Sequence, residues 1–142
     1  MNFKKNILIC CFSLVYATAF SQKTAIYTHE LKNYNHAIEL YKDNSYLASQ
    51  QLFNQIRGGF DNTTELRANC VYYIANCAIR LNQRGADDLM LEFVKRYPTS
   101  TKRNNAFLET AEYYFKVRKY AYALKWYGKA NVNNLSLKKK EE

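Results

Sequence analysis

The chain has 142 residues, enough for one domain, with 21 Lys plus Arg against 12 Asp plus Glu, a formal net charge of +9 and a sequence pI near 9.4. Hydrophobic residues make up 48% and charged residues 23%, ordinary globular usage that excludes a disordered or low-complexity chain. Four Gly and one Pro cannot supply the closely spaced turns of a β-sandwich or barrel, so this composition, with 13 Tyr and 8 Phe, predicts long helices joined by few loops.

The amino terminus reads as an export signal. Lys4 and Lys5 precede an apolar run from Ile7 to Ala19, and Ala19-Phe20-Ser21 puts small residues where a cut before Gln22 requires them. The run is shorter than the roughly 20 residues of a membrane span. Cys10 and Cys11 stand too early for a lipid-anchoring cysteine. Cleavage after residue 21 would remove Lys4 and Lys5, leaving 19 basic and 12 acidic residues, a net +7, with Cys70 and Cys77. These two are seven apart in an apolar stretch, about 10 Å along a helix, too far for a disulfide; they are expected to be small core residues.

From Lys23 onward the apolar pattern is helical. Tyr27, Leu31, Tyr34, Ile38 and Tyr41 make one stripe of a helix expected from about Thr24 to Lys42, broken by Asp43, Asn44 and Ser45. A second helix is expected over Tyr46 to Arg57, stopped by a left-handed cap at Gly58 and Gly59. Asn62 and Glu65 have capping-box spacing and predict a third helix to about Leu81. The fourth is expected over Ala86 to Tyr97, before Pro98, the fifth over Arg103 to Val117 and the sixth over Tyr120 to Val132.

Six helices in three short-looped pairs contain a repeat. A step of 37 residues relates Ser49, Ala86 and Ala123; Leu52, Leu89 and Trp126; Phe53, Met90 and Tyr127; and Ile56, Phe93 and Ala130. The same step relates Tyr34, Val71 and Leu108; Ala37, Ile74 and Ala111; Leu40, Cys77 and Tyr114; and Tyr41, Ala78 and Phe115. The expected fold is therefore an all-α solenoid of antiparallel helix pairs, about 24–59, 62–98 and 101–132, in which each pair buries its face on the next. Residues 133–142 are expected to begin a further helix, so the chain reads as the first part of a longer array whose last pair is exposed at Ala123, Trp126 and Tyr127.

The third pair resembles a tetratricopeptide repeat in Ala111, Tyr114, Tyr120, Ala123, Tyr127 and Ala130. Tyr46, Ser49 and Phe53 carry the same pattern in the first pair, and Ala86 and Pro98 in the second, where Ile74 replaces a tiny residue and Gln83 an aromatic one. Phe93 to Ser100 is similar to the phrase between repeats of exported bacterial proteins, the outer-membrane assembly lipoproteins and the periplasmic cell-division coordinators. The resemblance implies a concave groove lined by the first helix of each pair. Carried over residue by residue, it consists of Leu31, Tyr34, Ile38, Tyr41 and Lys42; Ala68, Val71, Ala75 and Ala78; and Asn105, Leu108, Glu112, Phe115 and Lys116. Such a groove, mostly apolar and aromatic, suits an amphipathic helix or an extended apolar segment.

Little in the sequence points to catalysis. Gly58 and Gly59 follow a helix instead of opening one, so they make no phosphate loop. His29 and His36 are seven apart without a second ligand at metal-site spacing, and Asp87 and Asp88 suit the first turn of a helix. The expectation is a non-enzymatic scaffold without metal or cofactor, binding another protein in the periplasm or at the outer-membrane periphery, and touching the membrane only by association. Twelve Lys or Arg from Lys95 to Lys140, interleaved with aromatics, leave binding of an anionic polymer or nucleic acid as one alternative. A spacer within a longer repeat protein is another.

Overall fold

The computed structural model describes residues 29–130. The expected signal, residues 1–21, and the segment 133–142 lie outside the described residues. Those described form six α-helices: α1 (residues 29–42), α2 (Tyr46–Ile56, continued by a 3-10 turn Arg57–Gly59), α3 (Glu65–Arg80), α4 (Ala86–Arg96), α5 (Arg103–Lys116) and α6 (Tyr120–Tyr127). Each packs chiefly on its neighbours in the chain, and α3 also meets α5, so the fold is all-α with a sequential, solenoid-like arrangement.

Two joined cores follow this order. Ala37, Phe53, Ile56, Phe60, Cys70 and Ile74 pack together between α1, α2 and α3. A larger cluster runs from Ala68, Tyr72 and Ile79 through Met90 and Phe93 to Phe107, Tyr114 and Trp126. Tyr73 belongs to the edge of both and stacks on Phe53 at 5.0 Å, so one ring couples the first pair to the second. Cys70 and Cys77 are buried free thiols. Burial pushes them up to about 12 and about 11, which keeps them protonated and unreactive at neutral pH.

The turns inside the pairs repeat more faithfully than the sequence does. Asn44, Asn82 and Arg118 all take positive φ. Each follows the same pair of hydrogen bonds: Asn44 N to Tyr41 O and Ser45 N to Leu40 O; Asn82 N to Ile79 O and Gln83 N to Ala78 O; Arg118 N to Phe115 O and Lys119 N to Tyr114 O. These are Schellman closures, which satisfy the last carbonyls of a helix. Their spacing is 38 residues from Asn44 to Asn82 and 36 from Asn82 to Arg118, so the first helices do not keep a uniform step of 37. Counted from the turns, Ala75, not Ile74, stands with Ala37 and Ala111, and all three are buried. A buried alanine thus stands seven residues before each left-handed turn residue, and at Ala37 the carbonyl accepts from Ser49 Oγ of α2 at 2.9 Å.

Several local expectations change. The amino-terminal cap of α3 is Thr64, whose hydroxyl accepts from Arg67 N at 3.3 Å, not Asn62. The Glu65 carboxylate closes no capping box; it accepts from Ser100 Oγ (2.9 Å), Thr101 N (3.1 Å) and Thr101 Oγ1 (2.7 Å), tying the start of α3 to the approach to α5. Gly58 and Gly59 lie in the 3-10 turn without positive φ. A Cβ at Gly59 would stand 2.7 Å from the Glu30 side chain, which would have to swing aside to admit it. The left-handed glycine is Gly85, φ 76°, which caps the start of α4. α6 ends at Tyr127, short of the expected Val132. At this end Ala123 and Trp126 are buried, Trp126 against Phe107 at 6.2 Å, and only Tyr127 of the three expected to be exposed is open, at 40%.

Candidate functional site

The site grows from the α3–α5 contact. Tyr72 on α3 donates its hydroxyl proton to the Glu109 carboxylate on α5, and Asn76 Nδ2, one turn further on, donates to the same oxygen at 3.1 Å. Tyr72 and Asn76 are buried, so the carboxylate satisfies two groups that would otherwise be costly to desolvate. Burial, reinforced by the Glu109 charge, holds the Tyr72 phenol far above its ordinary value, and it stays a donor.

Asn76 hands the network on. Its Oδ1 accepts from Arg80 Nη1. The Arg80 guanidinium of the second pair lies 5.2 Å from the centroid of Tyr41 and 5.5 Å from that of Tyr46, both in the first pair, and 5.9 Å from that of Tyr113 in the third. Tyr113 Oη also donates to the Arg80 carbonyl at 3.4 Å. A cation over several rings gains about 0.5–2 kcal/mol and loses rotamer freedom, so Arg80 is held in place before any partner arrives. The Tyr41 hydroxyl is buried without a hydrogen-bond partner among the described residues; burial raises its pKa and Arg80 opposes the shift.

This cage forms one wall of an open hollow of about 460 Å³, lined by Tyr46, Arg80, Glu109, Glu112, Tyr113, Lys116 and Val117. It presents charges of both signs beside two phenol rings. Such a surface can pair with backbone and charged side chains of a peptide segment while stacking an apolar one.

Of the groove residues expected from the sequence, Tyr41, Glu112 and Lys116 gather around Arg80. Tyr34 and Ile38 are half-buried against the first core, Tyr34 edge-on to Phe53 at 5.7 Å. Leu31 is 37% exposed, Lys42 is exposed and Asn105 half-buried. Val71 is half-buried against the larger core, while Ala68, Ala75, Ala78 and Leu108 are buried and stand behind the surface as packing. Phe115 is 59% exposed and meets Tyr120 edge-on at 5.5 Å, outside the hollow.

Sequence reasoning missed Tyr46, Tyr72, Asn76, Arg80, Glu109 and Tyr113. The signal lay in the turns. Lys42 and Lys116 stand two residues before Asn44 and Arg118, and the same count from Asn82 reaches Arg80, whereas a step of 37 from Lys42 reaches Ile79. Several interleaved cations and rings further along the chain serve the protein's own packing: Lys102 lies over Tyr72 and Tyr73, Arg103 over Phe107, and Lys119 over Tyr114. His36 Nδ1 stands 3.5 Å from Glu39 on an exposed surface, and His29 Nε2 meets Asn33 Nδ2 at 3.1 Å. Among the described residues no group of three His, Cys, Asp or Glu side chains could hold a metal ion, and no helix is long and apolar enough to cross a membrane.

Compared with known proteins, the chain matches no family model, no curated protein and no solved structure.

Proposed function

We propose that the chain is a non-enzymatic interaction scaffold built of tetratricopeptide-like helix pairs, exported to the bacterial cell envelope, where the face shared by α1, α3 and α5 holds a segment of another protein. The observation that carries the reading is the caged Arg80 at the hollow: Tyr41 and Tyr46 of the first pair and Tyr113 of the third converge on one guanidinium supplied by the second. The stacking of pairs thus creates a surface that no pair has alone. The partner segment carries charges of both signs and at least one apolar or aromatic side chain, since Arg80 and Lys116 face Glu109 and Glu112 across the phenols of Tyr46 and Tyr113. The envelope location rests on the amino-terminal export signal, Lys4 to Ser21.

Exchanging two exposed charges tests this. The double variant Glu112→Lys/Lys116→Glu keeps an opposite-charge pair one helical turn apart on α5, so the helix loses little, while the pattern facing the hollow is inverted. Capture of proteins from envelope extract on the immobilised mature chain is expected to yield a partner that the variant recovers at least about tenfold less well. Equal recovery contradicts the assignment of this face.

A further inference from the structure

Beside the Arg80 hollow, past the carboxyl end of α5, α5 and α6 present a second, apolar hollow of about 310 Å³ lined by Phe115, Tyr120, Ala123, Leu124 and Tyr127. Leu124 is 75% exposed, Phe115 59% and Tyr120 57%. The preceding pairs show what such a face receives. Phe53 and Met90, the counterparts of Tyr127, are fully buried, and Ile79, the counterpart of Phe115 counted from the turns, is 1% exposed. The cover in each earlier case includes a helix: α3 lays Leu66, Cys70, Tyr73 and Ile74 along the first pair, and α5 lays Ala106, Phe107 and Tyr114 along the second. No described helix covers the face of α5 and α6.

Charge selects among helices that could fill this place. Residues 115–130 contain Lys116, Arg118, Lys119, Lys125 and Lys129 and no Asp or Glu; the nearest carboxylate on α5 is Glu112. Lys116 lines the Arg80 hollow, Lys119 bonds to Asn82 and Lys129 borders the hollow between α4 and α5, so these cations reach the face as an unbalanced positive field and not as contacts; a second copy would meet that field at a cost, whereas an acidic helix would be drawn in. We propose that the end face of α5 and α6 docks an amphipathic helix of a partner protein, with apolar residues at positions i, i+4 and i+7 or i+8, as in α3, flanked by Asp or Glu. This surface shares no lining residue with the Arg80 hollow, although Phe115 and Lys116, which line the one and the other, are consecutive on α5.

The test titrates the mature chain with a labelled synthetic amphipathic peptide of about 18 residues. The peptide carries Leu at i, i+4, i+7 and i+11 between Glu residues, and its control replaces every Glu with Lys. The Glu peptide is expected to bind at least about tenfold more tightly than the Lys peptide, and to weaken several-fold between low and physiological salt. Leu124→Glu, at a largely exposed position, should abolish binding with an unchanged circular-dichroism melt. Leu47→Glu, 55% exposed on α2, should bind as the parent does. Equal affinity for the two peptides, or an unaltered affinity in Leu124→Glu, overturns the proposal. Dimerisation of the parent that Leu124→Glu removes would assign the face to a second copy instead. Binding that emerges only after deletion of residues 131–142 would assign it to the chain's own terminus.

Discussion

Arg118 occupies a backbone conformation that its side chain does not favour. At the equivalent turns Asn44 and Asn82 adopt φ of 61° and 51°, and asparagine tolerates this region through local hydrogen bonding; Arg118 adopts φ 63° without that help. Replacing Arg118 with Gly or Asn is expected to stabilise the fold by about 0.5–1 kcal/mol, read from urea melts. The same replacement of Asn44 by Gly should change little. That three residues close their helices identically was legible in part: Asp43-Asn44-Ser45 and the Gln83-Arg84-Gly85 region were recognisable breaks, and Arg118 fell in the expected turn. Which residue turns left-handed was not legible, because nothing in the composition of Val117-Arg118-Lys119 marks it.

At the scale of the helices, the middle pair differs from its neighbours, and Gln83 carries the difference. α2 and α6 begin two residues after their left-handed turn residue, but α4 begins four after Asn82. The residues between remain non-helical, and Gln83 uses this freedom to exchange two hydrogen bonds with Gln50 of α2: Gln50 Nε2 to Gln83 Oε1 at 2.9 Å and Gln83 Nε2 to Gln50 Oε1 at 2.8 Å. Gln50 is 9% exposed, so its amide depends on this partner and on the Ile74 carbonyl, 3.3 Å away. Gln83→Ala should therefore cost about 1–3 kcal/mol in a denaturant melt, while Gln50→Leu/Gln83→Leu, which removes both amides, should cost less. The glutamine that looks like a lost aromatic in the sequence is a staple between pairs. The helices themselves were legible because apolar spacing and breakers coincide. The middle register was not: α3 runs one residue further than a uniform step allows, and that shift exchanges Ala68, Val71, Ala75 and Ala78 for Asn69, Tyr72, Asn76 and Ile79 and sets Arg80 level with Lys42.

For the molecule as a whole, the aromatic surplus does two jobs. Tyr73 and Phe53 join the cores, while Tyr41, Tyr46 and Tyr113 fix Arg80. The protonated core has a consequence for stability. Burial raises Cys70 from 9.0 to about 12, Cys77 from 9.0 to about 11 and Tyr73 from 10.0 to about 12. A raised acid releases its proton from the unfolded chain first, so these groups contribute their full stability below pH 9 and lose it between about pH 9 and 12. Urea midpoints should be level in this respect from pH 7 to 9 and fall above it, each tenfold difference in proton affinity being about 1.4 kcal/mol. A midpoint that holds steady to pH 11 would mean that water reaches these side chains.

Function enters at this largest scale, because the cage exists only when α1, α3 and α5 are stacked. The most direct measurement is amide hydrogen exchange of the chain from Gln22 onward, free and bound to whatever protein the proposed capture from envelope extract recovers. Binding is expected to slow exchange in the peptides containing Tyr46, Arg80 and Tyr113 to Lys116, with the outer face of α4 unchanged. Slowing confined to α4, or none around Arg80, would contradict this expectation.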